Sequence, residues 1–133
     1  MASRRFYQFG KALEPEVVKL FVHLTFGSGA VTLTADPRNK GIASVSRTSA
    51  GLFVLTLDDK YQRILGFNGV MVATSGLPGA PVFAVKSDTV NTTKTITFTT
   101  LLMGSGAAAP VATDPTDTDI GLIEISLSNS VAL

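Results

Sequence analysis

The side chains able to do chemistry are few and scattered. The chain has one histidine, His23, and no cysteine. Thiol catalysis, thiolate metal sites and disulfides are therefore excluded. A Ser–His–Asp triad would have to use His23, yet no nucleophile-elbow sequence is present. His23 falls mid-strand between Phe21 and Thr25, which reads as a surface or interface histidine. Carboxylates pair in sequence as Glu14/Glu16 and Asp58/Asp59. The first pair flanks a proline. The second opens a short Asp-Asp-Lys-Tyr-Gln-Arg run, where helix capping accounts for both acids. Asp114, Asp117 and Asp119, followed by Gly121, have the look of a calcium loop. The spacing is wrong for a helix–loop–helix site, and no bidentate glutamate follows at the right distance. These three acids read as a solvated loop. Gly27-Ser28-Gly29 and Gly104-Ser105-Gly106 each follow a strand, but no helix comes after to complete a phosphate cradle. Asn91-Thr92-Thr93 matches a glycosylation sequon, a pattern that arises often by chance. No cofactor or metal is expected. The residues suit surface and shape better than reaction, and the expectation is a protein that is not an enzyme.

The charge is balanced overall and polarised along the chain. The formal net charge is +1, which argues against a nucleic-acid binder. Residues 1–11 hold Arg4, Arg5 and Lys11 and no acid, whereas 113–133 hold Asp114, Asp117, Asp119 and Glu124 and no base. Charged residues make up only 16% of the chain, against about 25% in an ordinary domain. A surface this low in charge suggests that part of it is covered in use. Near the N-terminus, Gln8, Gly10, Lys11, Glu14 and Glu16 interrupt any apolar run, so the segment is not read as a secretory signal. No stretch approaches the roughly 18 apolar residues of a membrane span, and no membrane partner is expected.

The elements that must position these residues repeat with a period of two. In Val17–Phe26, the even residues Val18, Leu20, Val22, Leu24 and Phe26 form an apolar face, and Val17, Lys19, Phe21, His23 and Thr25 the other. A short strand follows over Ala30–Thr34. Ile42–Thr48 and Leu52–Leu57 read as a hairpin, with Gly51 free to take positive φ in the turn. Asp58–Arg63 reads as one helical turn, with Tyr61, Ile64 and Leu65 pinning it to a sheet. Further strands are expected over Val70–Thr74, Val82–Ser87, Lys94–Met103 and Ile120–Leu127, with a turn near Asn91 and a 15-residue loop over 104–118. The prediction is all-β: a single antiparallel β-sandwich or barrel of about eight short strands. Residues 1–13 form an extended N-terminal arm and 14–133 one β-domain. In the arm, Arg4, Arg5, Phe6, Tyr7 and Phe9 make the most basic and aromatic stretch of the chain. It reads as a peg whose aromatics a partner buries, with a core strand as the alternative.

Three stretches carry a resemblance. The opening MASRRFYQF, the run GIASVSRTSAGLFVLTLDDKYQRIL and the ending DIGLIEISLSNS resemble small virion structural proteins of tailed bacteriophages. The hairpin pattern falls on Gly41, Val45, Arg47, Gly51, Phe53, Leu55, Leu57, Asp59 and Tyr61. Residues 66–118 depart freely from it. The resemblance implies a capsid decoration (cement) protein without enzymatic activity, made in the host cytoplasm and carried on the capsid surface of the virion. It implies the major capsid protein as partner and further copies of the chain as a trimer or dimer. The arm residues would bind the partner, and Asp114, Asp117 and Asp119 would meet the arginines of an adjacent copy. The alternatives are a minor tail, fibre or head–tail component, or a module that binds a host surface.

Overall fold

The computed structural model describes residues 17–27, 29–33, 39–73, 81–102, 109–115 and 118–129. The arm, with Arg4, Arg5, Phe6, Tyr7 and Phe9, lies outside the described residues, as do Glu14, Glu16 and Asp117.

Nine strands occur among the described residues: β1 (Val17–Gly27), β2 (Ala30–Leu33), β3 (Ile42–Ser49), β4 (Leu52–Leu57), β5 (Arg63–Val72), β6 (Val82–Thr89), β7 (Thr95–Leu102), β8 (Val111–Ala112) and β9 (Ile120–Ser128). They form two antiparallel sheets packed as a sandwich. The first runs β2-β1-β9-β5 and the second β3-β4-β7-β6, with β8 also paired to β7. Strands from opposite ends of the chain lie side by side at the centre of the first sheet. β1 pairs with β9 without a break from Val17↔Ser128 to Thr25↔Ile120.

Alternation along each strand decides which residues meet in the core. Leu20, Val22, Leu24 and Phe26 of β1 face inward, as do Ile123, Ile125 and Leu127 of β9. Phe53, Leu55 and Leu57 of β4 and Ile96 and Phe98 of β7 close the core from the second sheet. Its centre is aromatic. Phe53 stacks on Phe98 with centroids 5.4 Å apart, and Phe26 meets Phe53 edge-on at 5.3 Å. Phe67 and Phe83 flank Phe98. Such pairs add about 0.5–1.5 kcal/mol each beyond area burial.

Three expectations require correction. The run Asp58–Arg63 makes no helical turn. Its backbone N–H groups are claimed from afar: Asp58 donates to Gly41 O (2.9 Å), Tyr61 to Val90 O (3.0 Å) and Gln62 to Ser128 O (2.8 Å). An isolated turn of helix leaves most of its end groups unpaired, so these long-range bonds win. Tyr61 is buried as expected. That burial, followed by the charges of Asp59 and Asp58, pushes its phenol up from the ordinary value. The second correction concerns β5, which starts at Arg63 rather than near Val70. The chain stays extended through Gly66, Asn68 and Gly69. Gly66 follows a register shift after Ile64. Gly69 is required because the Phe83 ring lies where its side chain would be: an added Cβ would fall 2.8 Å from Cγ. Third, the stretch 104–118 is not loop throughout, since β8 extends β7's ladder through Leu101↔Ala112 and Leu102↔Val111.

The strands at the ends of the sheets are blunted. β2 is four residues long, β3 carries two register shifts, and β5 and β6 carry one each. Short and bulged edges are the usual defence against edge-to-edge pairing.

Candidate functional site

Two places on the sandwich gather side chains that the sequence marked. The first is where the β3–β4 hairpin meets the segment after β8. Arg47 lies on β3 and Gly51 in the turn, where its φ is +67° as expected. The Arg47 guanidinium grips Asp114 with two prongs, Nε to Oδ1 at 3.0 Å and Nη2 to Oδ2 at 2.7 Å. The Gly51 N–H donates to the same Oδ1 at 2.8 Å. Thr100 completes the knot. Its N–H donates to Gly51 O, its hydroxyl to Thr113 O at 2.6 Å, and its own carbonyl accepts from Thr113 N–H. The Arg47 hydrogen bonds lower the Asp114 carboxyl below its ordinary value; burial opposes them, and the Gly51 N–H adds to the lowering. The same pairing raises Arg47. Bidentate Arg–carboxylate contacts are among the stronger charge-assisted hydrogen bonds.

This geometry changes the reading of the acidic stretch. Asp114 is not a solvated acid, because it ties its own loop to the hairpin. Asp119 is buried at 1% exposure, in a short crossing where its carbonyl accepts from Phe26 N–H (2.9 Å) and Thr118 N–H donates back to Phe26 O (2.8 Å). Asp117 lies outside the described residues. The structure therefore separates the roles of Asp114 and Asp119. Among the described residues no cluster of three or more His, Asp or Glu side chains is placed to hold a metal ion.

The second place is the outer face of the first sheet. Register puts Phe21 opposite Glu124 and Glu124 opposite Asn68; one step along, His23 lies opposite Leu122 and Leu122 opposite Val70. These six residues line a shallow groove across β1, β9 and β5. Phe21 is 51% exposed and Val70 63%. Val17, Val72 and Leu122 are also exposed apolar residues of these strands. Beside them Lys19 Nζ donates to Glu124 Oε1 at 2.9 Å. His23 lies on this face and is half-buried. Its backbone is fixed by the Asn39 side chain, which accepts from His23 N–H at 2.6 Å and donates to His23 O at 3.1 Å. That amide acts as one more rung beyond the last β1–β2 pair, Leu24↔Leu33.

Sequence reading placed Phe21, Lys19 and His23 on one face of β1 but missed their neighbours. Val70 looked like the start of a strand, and Leu122 was not assigned a face. Period-two counting back from Glu124 places Leu122 outward, so that signal was available. The β5 register was hidden by its glycines.

The class that the fold defines is an antiparallel β-sandwich. Comparisons with protein families, with curated proteins and with solved structures found no match for the chain.

Proposed function

We propose that this chain is a non-enzymatic structural protein of a phage virion, a capsid decoration protein that binds the outside of the head and strengthens contacts between capsid subunits. The observation that carries the reading is the exposed apolar face of the first sheet. Phe21, Val70 and Leu122 stand outward on a chain with only 16% charged residues. Apolar side chains grouped in this way mark an interaction surface. The residues that carry the resemblance to small phage virion proteins support it further. Phe53, Leu55 and Leu57 fill the core, and Arg47 and Gly51 hold the clamp. They explain why such a hairpin needs this pattern.

In this reading the body supplies a rigid sandwich and residues 1–13 supply the grip. Phe6, Tyr7 and Phe9 are buried against the major capsid protein. Arg4 and Arg5 pair with its acids, since Asp114 already has Arg47 as partner within its own chain. Aromatic and arginine side chains are the residue types that most often dominate binding energy. The test is attachment to purified heads that lack decoration. Removal of residues 1–11 should abolish binding while circular dichroism and thermal melting stay as in the full chain. Undiminished binding by the trimmed chain would end the assignment of these five residues. If the full chain fails to bind heads but is found in tails, it is a tail or head–tail component instead.

A further inference from the structure

We infer that Asn68 is a site of spontaneous deamidation, held in check by the pairing of β5 with β9. This is a property of the isolated chain and stands whether or not it binds a capsid.

The first argument is local chemistry. The asparagines are Asn39, Asn68, Asn91 and Asn129, followed by Lys40, Gly69, Thr92 and Ser130. Asparagine is thermolabile, because the backbone nitrogen of the next residue can attack its side-chain Cγ. A following glycine puts no Cβ beside that nitrogen, and Asn68 alone is followed by one. The Gly69 nitrogen bonds to Cγ, the Cγ–Nδ2 bond breaks, and the Gly69 proton leaves with the amide as ammonia, relayed by water. Water then opens the cyclic imide at either carbonyl. The product is aspartate, or isoaspartate, in which the main chain runs through the side-chain carbon.

The second argument is register. The Asn39 amide occupies the N–H and C=O of His23 on the β2 side of β1, so Val22 and Leu24 are the residues that bond to β9. Ladder bonds alternate along an antiparallel strand. Ile123 therefore looks to β1, and Leu122 and Glu124 look to β5. Ser128 obeys the same parity, since its carbonyl accepts from Gln62 N–H at 2.8 Å. Asn68 thus exchanges its backbone bonds with Glu124, and the Gly69 N–H turns away from β9. The attacking nitrogen is outside the β5–β9 ladder, and the Asn68 side chain is exposed to water.

The third argument is what restrains the step. An antiparallel strand holds ψ at about +135°. Closing the imide needs the Asn68 Cβ and the Gly69 nitrogen on the same side of the Cα–C bond, so ψ must leave the extended range. Asn68 must first part from Glu124. Among the described residues β5 ends its sheet, with β9 as its one neighbour there, and opening an end strand costs less than unfolding the whole domain. Asn39 is held differently, by both of its side-chain bonds to His23. The change would matter to the fold. A carboxylate at position 68 lies directly opposite Glu124, and like charges so placed are destabilising.

Peptide mapping by mass spectrometry of the full chain, held at mildly alkaline pH, tests the inference. Asn68 should convert first, to a mixture of aspartate and isoaspartate, while Asn39, Asn91 and Asn129 keep their amides. In denaturing urea the same site should convert at least about tenfold faster, because no strand has to open. Asn68→Asp should lower the urea midpoint by about 0.1–0.5 M, and the loss should shrink in a Glu124→Gln background. An Asn68 that keeps its amide as long as the other three overturns the inference, and so does equal conversion in the folded and the urea-unfolded chain. A midpoint unchanged by Asn68→Asp, or lowered as much with Glu124→Gln, overturns the cross-strand pairing on which it rests.

Discussion

Replacing Gly69 by alanine should destabilise the sandwich, and the reason is a single ring. Gly69 faces the core from β5, and Phe83 of β6 lies over it. An added Cβ would sit 2.8 Å from Phe83 Cγ and 3.1 Å from Cε2, where ordinary contact begins near 3.4 Å. Cγ is the root of the ring, so flipping the ring about its own axis relieves nothing. Phe83 must change rotamer or the two sheets must part. Either response disturbs its packing on Phe98, at 5.9 Å, and on Phe26, at 6.5 Å. Overpacking of this kind costs about 1–3 kcal/mol. Alanine recovers about 0.4–1 kcal/mol by restricting the unfolded chain. The net loss is about 1–2 kcal/mol. With a urea slope of about 2 kcal/mol/M, the midpoint should fall by about 0.5–1 M at unchanged slope. Phe83→Leu should shrink the penalty of Gly69→Ala, giving a favourable coupling of about 0.5 kcal/mol or more in a double-mutant cycle. A Gly69→Ala variant as stable as the wild type, or a penalty unchanged by Phe83→Leu, would refute the role given to this contact.

Two further predictions concern the clamp. The folded-state carboxyl of Asp114 lies below its ordinary value of 3.8, so its contribution to stability is complete above that value and is lost as pH falls through the folded one. Melting temperatures of wild type and Asp114→Asn should thus differ by a constant amount at neutral pH and converge below about pH 4; a gap that widens on acidification would reverse the sign of the argument. Gly51→Ala should cost more than Gly69→Ala, by calorimetry. Its φ is positive, and the new Cβ would meet backbone, at 2.7 Å from Ala112 C and 2.9 Å from Thr100 O, which cannot swing aside.

What the sequence made legible was whatever alternation governs. The faces of β1, β4, β7 and β9 follow from counting by two, because a half-buried strand must alternate. The turn at Gly51 followed from the one residue that tolerates positive φ without strain. What stayed hidden depends on partners far along the chain. The N–H groups of Asp58, Tyr61 and Gln62 bond to Gly41, Val90 and Ser128, and no local pattern announces that. The need for glycine at position 69 shows only once Phe83 is seen above it. Asp114 reads as a surface acid until Arg47, 67 residues earlier, is found beside it. The groove across β1, β9 and β5 was half visible, in Phe21 and His23. It became a surface only once register joined them to Leu122 and Val70.

A reconstruction of the intact particle tests the proposed decoration of a phage head. The expected result is density for this sandwich repeated in hundreds of copies across the outer shell, with residues 1–13 against the major capsid protein. Density confined to a vertex or the tail, or a mature particle that lacks the chain, would contradict it.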